Sequence, residues 1–282
     1  MTFDPSCAGR VAGPFEQSYD WRDVALYALG LGAGVDDLRY LLDDPPPHVL
    51  PTYGVVPAFR PVFELLETTG GDLVTLLHSA QRTELLRPFP PRGKMSTTAR
   101  ICGAWDMKIG ALVLIETETA VGGEPTARTA WHLLLRGQGG FGGKRPPSPA
   151  RERPPRDRDP DFRRTVATRE DQALLYRLSG DVNPIHSHPE VARQAGFDRP
   201  ILHGLCFYGI AARVALGELA EGDPARFGAF EARFSKVVMP GDRLVIEGWK
   251  LKDPGRAAID VTVEATGARP IAGGVFEYEV AG

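Results

Sequence analysis

Three side chains that can handle protons lie within six residues in the C-terminal half of the sequence. Asp181, Asn183 and His186 supply a carboxylate, an amide and an imidazole. Pro184 disfavours helical backbone at Asn183, so we predict an extended turn in which Asp181 and His186 converge. A carboxylate and an imidazole that share one water can move protons on and off a substrate. The alternative is a helix-ending turn in which Asp181 caps the backbone and His186 lies at the surface.

Composition and charge narrow the class of protein. The 282 residues are 43% hydrophobic and 24% charged, with a formal net charge of −3. These values are typical of a soluble globular protein with one large domain or two of ordinary size. The charge argues against nucleic-acid binding. No run approaches the length of a membrane span and the N-terminal residues lack a signal-peptide pattern, so no membrane partner is predicted.

The cysteines bear on the cellular compartment. Cys7, Cys102 and Cys206 are few, odd in number and widely spaced. This pattern favours reduced thiols over a disulfide framework or a zinc site. We therefore predict a cytoplasmic protein with no metal site.

A segment rich in Gly, Pro and Arg predicts a division into two domains, 1–140 and 164–282, joined by a linker over 141–163. Six prolines in the linker exclude regular helix or central strand. Eight Lys/Arg and four Asp/Glu between 144 and 164 make it locally positive. A solvated, semi-rigid linker and a positive rim for a phosphorylated ligand both remain open.

Hydrophobic periodicity predicts a similar plan in each half, a helix-containing α+β layout with mainly antiparallel strands. In the N-terminal half, helices are predicted over 21–29 and 57–67, with strands at 73–78, 82–87, 95–107, 111–121 and 126–137. In the C-terminal half, helices are predicted over 170–178 and 205–219, with strands at 164–167, 227–237, 243–252, 257–266 and 271–280. The helix over 205–219 is apolar on all faces, which indicates burial.

An internal echo at an offset of 149 residues supports duplication. Leu26, Tyr27 and Leu29 align with Leu175, Tyr176 and Leu178. In the same register Gly32, Gly34 and Asp37 take the places of Asp181, Asn183 and His186. We therefore predict one active site per chain, in the C-terminal half, with the N-terminal half shaping the binding site.

Several motifs resemble the MaoC-like, (R)-specific enoyl-CoA hydratases, or type 2 hydratases. The C-terminal half carries Leu175–His186, Ala195–Cys206 and Arg233–Gly241. Tyr27–Gly30, Leu50–Pro57 and Gly139–Arg145 resemble the N-terminal partner domain of eukaryote-type members, as in the hydratase unit of peroxisomal multifunctional enzymes. The likeness covers nearly the whole chain.

The resemblance implies a double hot-dog fold, in which two curved antiparallel sheets each wrap around a central helix. It implies reversible syn addition of water to a trans-2-enoyl-CoA, giving the (3R)-3-hydroxyacyl-CoA. The partner is then an acyl-CoA thioester, with coenzyme A as part of the substrate and no separate cofactor or metal. The family also suggests a homodimer.

The resemblance assigns roles at the catalytic turn. Asp181 and His186 are expected to hold and activate the water, and which of them delivers the proton to Cα stays open. Asn183 either orients this pair or the thioester, or only stabilises the turn. Gly204, at the start of the buried helix, offers a backbone N–H as an oxyanion hole for the enolate oxygen. The alternative is a glycine needed only for packing. His203 is open between a functional role and that of a neighbouring core or rim histidine.

Further residues are expected to contact the substrate. The family's His-Gly-Glu-Gln segment falls on His78-Ser79-Ala80-Gln81, where the middle pair differs. A family lysine near coenzyme A falls on Met107 or Lys108. The remaining expected contacts are Val182, Pro184, Ile185 and Phe234, although a lone strand phenylalanine is often only core.

The helix over 57–67 and Tyr53-Gly54 suggest a tunnel for a medium, long or bulky acyl tail, with an ordinary amphipathic core helix as the alternative. Other activities also fit parts of the pattern. A dehydratase acting on carrier-protein or polyketide thioesters would use the same residues, and a thioesterase is a different reaction on the same fold. An acyl-CoA-binding module does not need a water-activating pair.

Overall fold

The computed structural model describes residues 2–155 and 157–280. Its N-terminal half contains two α-helices and five strands. These are β1 (Val11–Tyr19), α1 (Trp21–Gly30), α2 (Phe59–Thr68), β2 (Leu76–Leu85), β3 (Gly93–Met107), β4 (Gly110–Val121) and β5 (Glu124–Arg136).

The C-terminal half adds three α-helices and five strands. These are β6 (Phe162–Ala167), α3 (Gln172–Tyr176), α4 (Pro189–Gln194), α5 (Gly204–Ala220), β7 (Phe227–Arg233), β8 (Arg243–Lys250), β9 (Arg256–Val263) and β10 (Ile271–Tyr278). No helix in the described ranges has both the length and the apolar character needed to cross a membrane.

The ten strands form one antiparallel sheet built from two equivalent five-stranded units. The order is β1-β3-β4-β5-β2 in the first unit and β6-β8-β9-β10-β7 in the second. Strands β2 and β7 pair with each other, in a register that runs from Ala80 opposite Arg233 to Glu84 opposite Ala229. The repeated order agrees with the internal echo, and the predicted α+β class is confirmed.

Helix α5 is the core of the C-terminal half. Twelve of its 17 residues are buried, because small and apolar side chains cover every face. Helix α2 is instead amphipathic and buries one face, formed by Phe59, Pro61, Val62, Leu65 and Leu66. The burial predicted for all faces of the helix over 205–219 is thus confirmed for α5.

Two strand predictions in the N-terminal half are wrong. Strand β1 was not predicted, because its Gly13-Pro14 pair and polar residues obscure the strand period. It lies at a sheet edge, where proline is tolerated. The predicted strands 73–78 and 82–87 are one strand, β2, preceded by a 3-10 turn over Leu73–Thr75. The polar residues that suggested a break pair with β5 on one side and β7 on the other.

The C-terminal end of α1 joins the two halves. The side chain of Gln172 is buried, and its Nε2 donates to the Gly30 carbonyl at 2.7 Å. Arg213 on α5 donates to the Leu31 carbonyl and pairs with Asp37 at 2.7 Å. Asp37 is the residue that the internal echo aligns with His186, so this position holds the halves together instead of carrying a catalytic group.

Loss of the Gln172 cap is expected to destabilise the protein. Gln172→Leu keeps the side-chain size but removes the Nε2 donor to the Gly30 carbonyl, which then keeps only the weaker Cys206 thiol donor at 3.3 Å. The loss of one such hydrogen bond costs about 1 kcal/mol. The free energy of unfolding, measured by urea denaturation with an unchanged m-value, should fall by that amount. Gln194→Leu, at an exposed position, serves as the control and should change it by less than about 0.5 kcal/mol. A Gln172→Leu midpoint equal to that of the wild type would contradict the capping role.

Candidate active site

The turn between α3 and α4 carries the predicted catalytic residues. Asn183 has φ −53° and ψ 122°, the extended backbone expected before proline, and a 3-10 turn follows over Pro184–His186. The Asn183 backbone N–H donates to Asp181 Oδ1 at 3.2 Å. Its side-chain Oδ1 accepts from the Ile185 N–H at 3.1 Å. The side chain of Asn183 therefore stabilises the turn, while its backbone N–H orients the Asp181 carboxyl.

The glycine before this turn is required by the backbone and by its neighbour. Gly180 has φ 127°, a region that L side chains rarely adopt. A Cβ at this position would lie 3.0 Å from Phe59 Cδ2 on α2. Gly180 therefore allows the catalytic turn to approach the N-terminal half closely.

A backbone carbonyl determines which nitrogen of His186 can act as a base. His186 Nδ1 lies 2.9 Å from the Ile201 carbonyl oxygen. A carbonyl only accepts hydrogen bonds, so Nδ1 carries the proton. In the neutral ring Nε2 then has a free lone pair and can take a proton from water.

Burial shifts the titration of the pair in opposite directions. Desolvation raises the pKa of Asp181, and the attraction of His186 and the Asn183 N–H oppose it. Desolvation lowers the pKa of His186, and the attraction of Asp181 opposes it. Burial therefore favours a protonated carboxyl beside a neutral imidazole. The pKa of each group therefore depends on the charge of the other.

His203 is a site residue that sequence reasoning left open. It is fully buried, and its Nε2 lies 3.1 Å from the backbone oxygen of Asp181. Its ring stacks on His186, with 3.8 Å between ring centroids and 28° between planes. The available signal was its place directly before Gly204 in a matched motif. No local sequence pattern predicts its contacts with Asp181 and His186, which lie about 20 positions earlier.

Asp181, His186 and His203 are also residue types that bind metals. Each offers one ligand atom, and these atoms lie within 4.8 Å of one another. The rings of His186 and His203 are stacked on each other. The absence of a metal site thus stays a prediction.

Gly204 is the first residue of α5. His203 precedes it as the N-cap, with φ −57° and ψ 137°. Within residues 2–155 and 157–280, no acceptor is assigned to the Gly204 N–H. A Cβ on Gly204 would lie 3.3 Å from Phe234 Cδ2, so the Phe234 ring packs against this residue. A free N–H at a helix N-terminus is suited to stabilise a developing negative charge.

Aromatic side chains connect Gly204 to the N-terminal half. Phe234 packs edge-on against His78, with ring centroids 5.2 Å apart. His78 stacks on Trp131 at 5.0 Å, and Trp131 contacts Phe59 at 5.3 Å. Since Phe59 lies against Gly180, these residues form a wall from the oxyanion N–H back to the catalytic turn. The tertiary structure therefore places His78 and Phe234 next to the predicted catalytic residues.

His78 is held neutral in this wall. Burial lowers the pKa of its imidazole to about 3. Among the described residues, its Nε2 has no hydrogen-bond partner. The nitrogen is thus available to a bound molecule, and its contact with substrate stays a prediction.

The other expected contact residues differ in their surroundings. Ser79 lies at an irregularity in the β2–β5 register, and its hydroxyl donates to the His132 carbonyl. Lys108 is exposed in the turn between β3 and β4, at the end of the sheet where β2 begins. Val182 and Pro184 are exposed and Ile185 is half-buried. Their contacts with a ligand, and the use of α2 for an acyl tail, also stay predictions.

Two family models match this chain. Residues 17–137 match the MFE-2 hydratase 2 N-terminal domain, and residues 152–268 match the MaoC like domain. The 3-hydroxyacyl-thioester dehydratase Y of Mycobacterium tuberculosis is 42% identical over 272 residues, which cover 93% of this chain and 92% of that protein. A probable enoyl-CoA hydratase 2 of Dictyostelium discoideum is 39% identical over 246 residues and 84% of each chain.

Solved structures show the same fold. A MaoC-like dehydratase from Phytophthora capsici superposes with a TM-score of 0.86 at 31% identity, over 98% of this chain and 97% of that one. A Mycobacterium tuberculosis protein described as a double hotdog fold has a TM-score of 0.57 at 14% identity, covers 96% of each chain and supports the fold alone. The predicted double hot-dog fold is thus confirmed. The chain belongs to the MaoC-like hydratases that combine an MFE-2 hydratase 2 N-terminal domain with a MaoC-like domain.

Proposed function

We propose that this hydro-lyase adds water reversibly, in syn fashion, to a trans-2-enoyl-CoA and yields the (3R)-3-hydroxyacyl-CoA. The observation that carries the proposal is the half-buried Asp181–His186 pair, packed against His203 directly before the free N–H of Gly204. The relative named enoyl-CoA hydratase 2 supports the substrate class. The product configuration rests on the family resemblance.

The orientation of His186 supports one division of the two proton-transfer roles, with His186 as the base and Asp181 as the acid. His186 Nε2 takes a proton from water while the water oxygen forms a bond to Cβ. The electron pair of the Cα–Cβ double bond moves toward the thioester, and the negative charge on its oxygen is stabilised by the Gly204 N–H. Asp181 acts as the acid and delivers a proton to Cα, a role that the upward shift of its pKa by burial supports. A proton then passes from His186 to Asp181, which restores the starting state, and dehydration is the reverse sequence.

The alternatives predict different products. The relative named 3-hydroxyacyl-thioester dehydratase Y leaves open the carrier of the acyl group. Turnover of matched coenzyme A and carrier-protein thioesters separates these two, and we expect the coenzyme A substrate to be preferred. A thioesterase would release free thiol, and a binding module would leave the enoyl absorbance unchanged. Chiral analysis of the product tests the configuration, and an (S) product would overturn the assignment.

We also propose that the protein works in the cytoplasm as a homodimer. All three cysteines are free, which fits a reducing compartment. The dimer rests on the family resemblance. Fractionation and light scattering test the two statements separately.

Replacement of either proton-transfer group should abolish most of the activity. Asp181→Asn and His186→Gln keep the size and polarity of the side chains. Each should lower kcat for crotonyl-CoA hydration by about 10²–10⁴-fold, the usual contribution of general acid–base catalysis. The change in enoyl absorbance gives the rate, and circular dichroism checks the fold.

The exposed Asp198 provides the matched control for Asp181. Asp198→Asn makes the same chemical change a short distance along the chain and should leave kcat within about twofold. Near-wild-type turnover by Asp181→Asn would refute the mechanism.

The coupled pair predicts the shape of the pH profile. The enzyme is active when the pair holds one proton, so kcat/KM should fall both when a second proton binds and when the last one leaves. Because burial lowers the pKa of His186, the acid limb should lie below its ordinary value of 6.5. The amide of Asp181→Asn cannot ionise, so its residual activity should lose the alkaline limb. An unchanged alkaline limb in that variant would assign the limb to another group.

Removal of the Gly204 N–H should slow the reaction without unfolding the helix. Proline lacks this N–H but is accepted at the first helical position, and His203 already has the backbone that precedes proline. Gly204→Pro should lower kcat by about 10²–10³-fold, the usual effect of losing one oxyanion donor. Gly204→Ala retains the N–H and should show a smaller loss, caused by crowding against Phe234. Equal losses in both variants, at similar melting temperatures, would exclude the oxyanion role.

A further inference from the structure

We propose that His203 is a positioning residue, whose Nε2–H holds the Asp181 backbone while its ring fixes the plane of His186. The inference rests on the proposed function of the same site. It extends that function to a residue that does not itself touch the reacting atoms.

The first contact acts on the acid. The Asp181 carbonyl accepts from His203 Nε2 at 3.1 Å, so Nε2 carries the proton. The Asp181 carboxylate is separately held by the Asn183 N–H at 3.2 Å. Main chain and side chain of Asp181 are therefore both anchored. This matters because a displacement of about 1 Å in a reacting group can lower the rate about 10²-fold.

The second contact acts on the base. The His203 ring covers one face of His186 at 3.8 Å, while the Ile201 carbonyl holds the edge of His186 at Nδ1. One contact restrains the tilt of the ring and the other restrains its rotation. Together they direct Nε2 toward the water.

A single four-residue segment supplies these anchors. Ile201 provides the carbonyl for His186, His203 provides the donor for Asp181, and Gly204 provides the oxyanion N–H. The segment is itself held, since the Leu202 N–H donates to the Val238 carbonyl at 2.8 Å. The acid, the base and the oxyanion donor thus share one local frame, and His203 connects the acid to it.

The burial of His203 also favours a role beyond packing. The residue is 0% exposed, and within the described ranges its Nδ1 has no hydrogen-bond partner. A buried polar atom without a partner carries a cost in stability. An aliphatic residue would fill this position without that cost, but it would have no donor for Asp181.

The experiment compares variants that differ in this donor. In His203→Gln the amide nitrogen reaches the place of Nε2, and in His203→Leu the packing remains without a donor. His203→Leu should lower kcat for crotonyl-CoA by about 10–100-fold with KM within about threefold, since orientation and not binding is lost. His203→Gln keeps the donor to Asp181 but loses the ring that stacks on His186, so its kcat should be at least about threefold above that of His203→Leu and below that of the wild type. His132→Leu is the matched control, a buried histidine on β5 whose Nδ1 also lacks a partner among the described residues, and it should leave kcat within about threefold.

Each outcome supports or contradicts the positioning role of His203. Wild-type kcat in His203→Leu, or equal losses in His203→Leu and His203→Gln at similar melting temperatures, would overturn the positioning role. If His203→Leu does not fold, His203→Asn replaces it, because its shorter amide does not reach the Asp181 carbonyl. If the wild type hydrates enoyl-CoA and the His203 variants are equally active, the positioning role is wrong but the proposed function stands. If the wild type hydrates no enoyl-CoA, both the proposed function and the positioning role are wrong.

Discussion

Burial of the Asp181 carboxyl beside the His186 imidazole is the interaction on which the rest of the site depends. Low dielectric favours the neutral forms of both groups, raising the pKa of Asp181 and lowering that of His186, and the attraction between their charged forms opposes both shifts. Such a pair can transfer protons to and from a substrate only if hydrogen bonds hold both side chains in place. The backbone supplies these contacts through the Asn183 N–H and the Ile201 carbonyl, which do not titrate. The acid and the base are therefore held by groups whose charge does not change during the reaction.

The two halves share one fold but differ in the residues that they contribute to the site. Both halves have the same strand order, and their sheets join through β2 and β7. The turn that carries Asp181 and His186 in one half corresponds to a turn in the other half where Asp37 pairs with Arg213. The N-terminal half contributes His78, Trp131 and Phe59 to the aromatic wall, and Phe59 packs against Gly180 of the C-terminal turn.

Elements that follow local rules were predicted well. The apolar helix α5, the turn at Pro184 and most strand positions follow from periodicity and from the backbone limits of proline. Strand β1 and the continuous strand β2 were missed, because tertiary pairing stabilises polar segments that have little intrinsic strand preference. Their pairing partners lie far away in the sequence, so no local pattern predicts them.

The sequence by itself determined the residue types at the catalytic turn, the α+β class, the duplication and the resemblance to a hydratase family. Only the tertiary structure decided that His186 presents Nε2, that the Gly204 N–H stays free and that His203 holds Asp181. It also brought His78 to Phe234 across the two halves. The physical reason is that side-chain type and local backbone preference are properties of short segments. Tautomer, burial and ring stacking arise from contacts between segments that only the folded chain brings together.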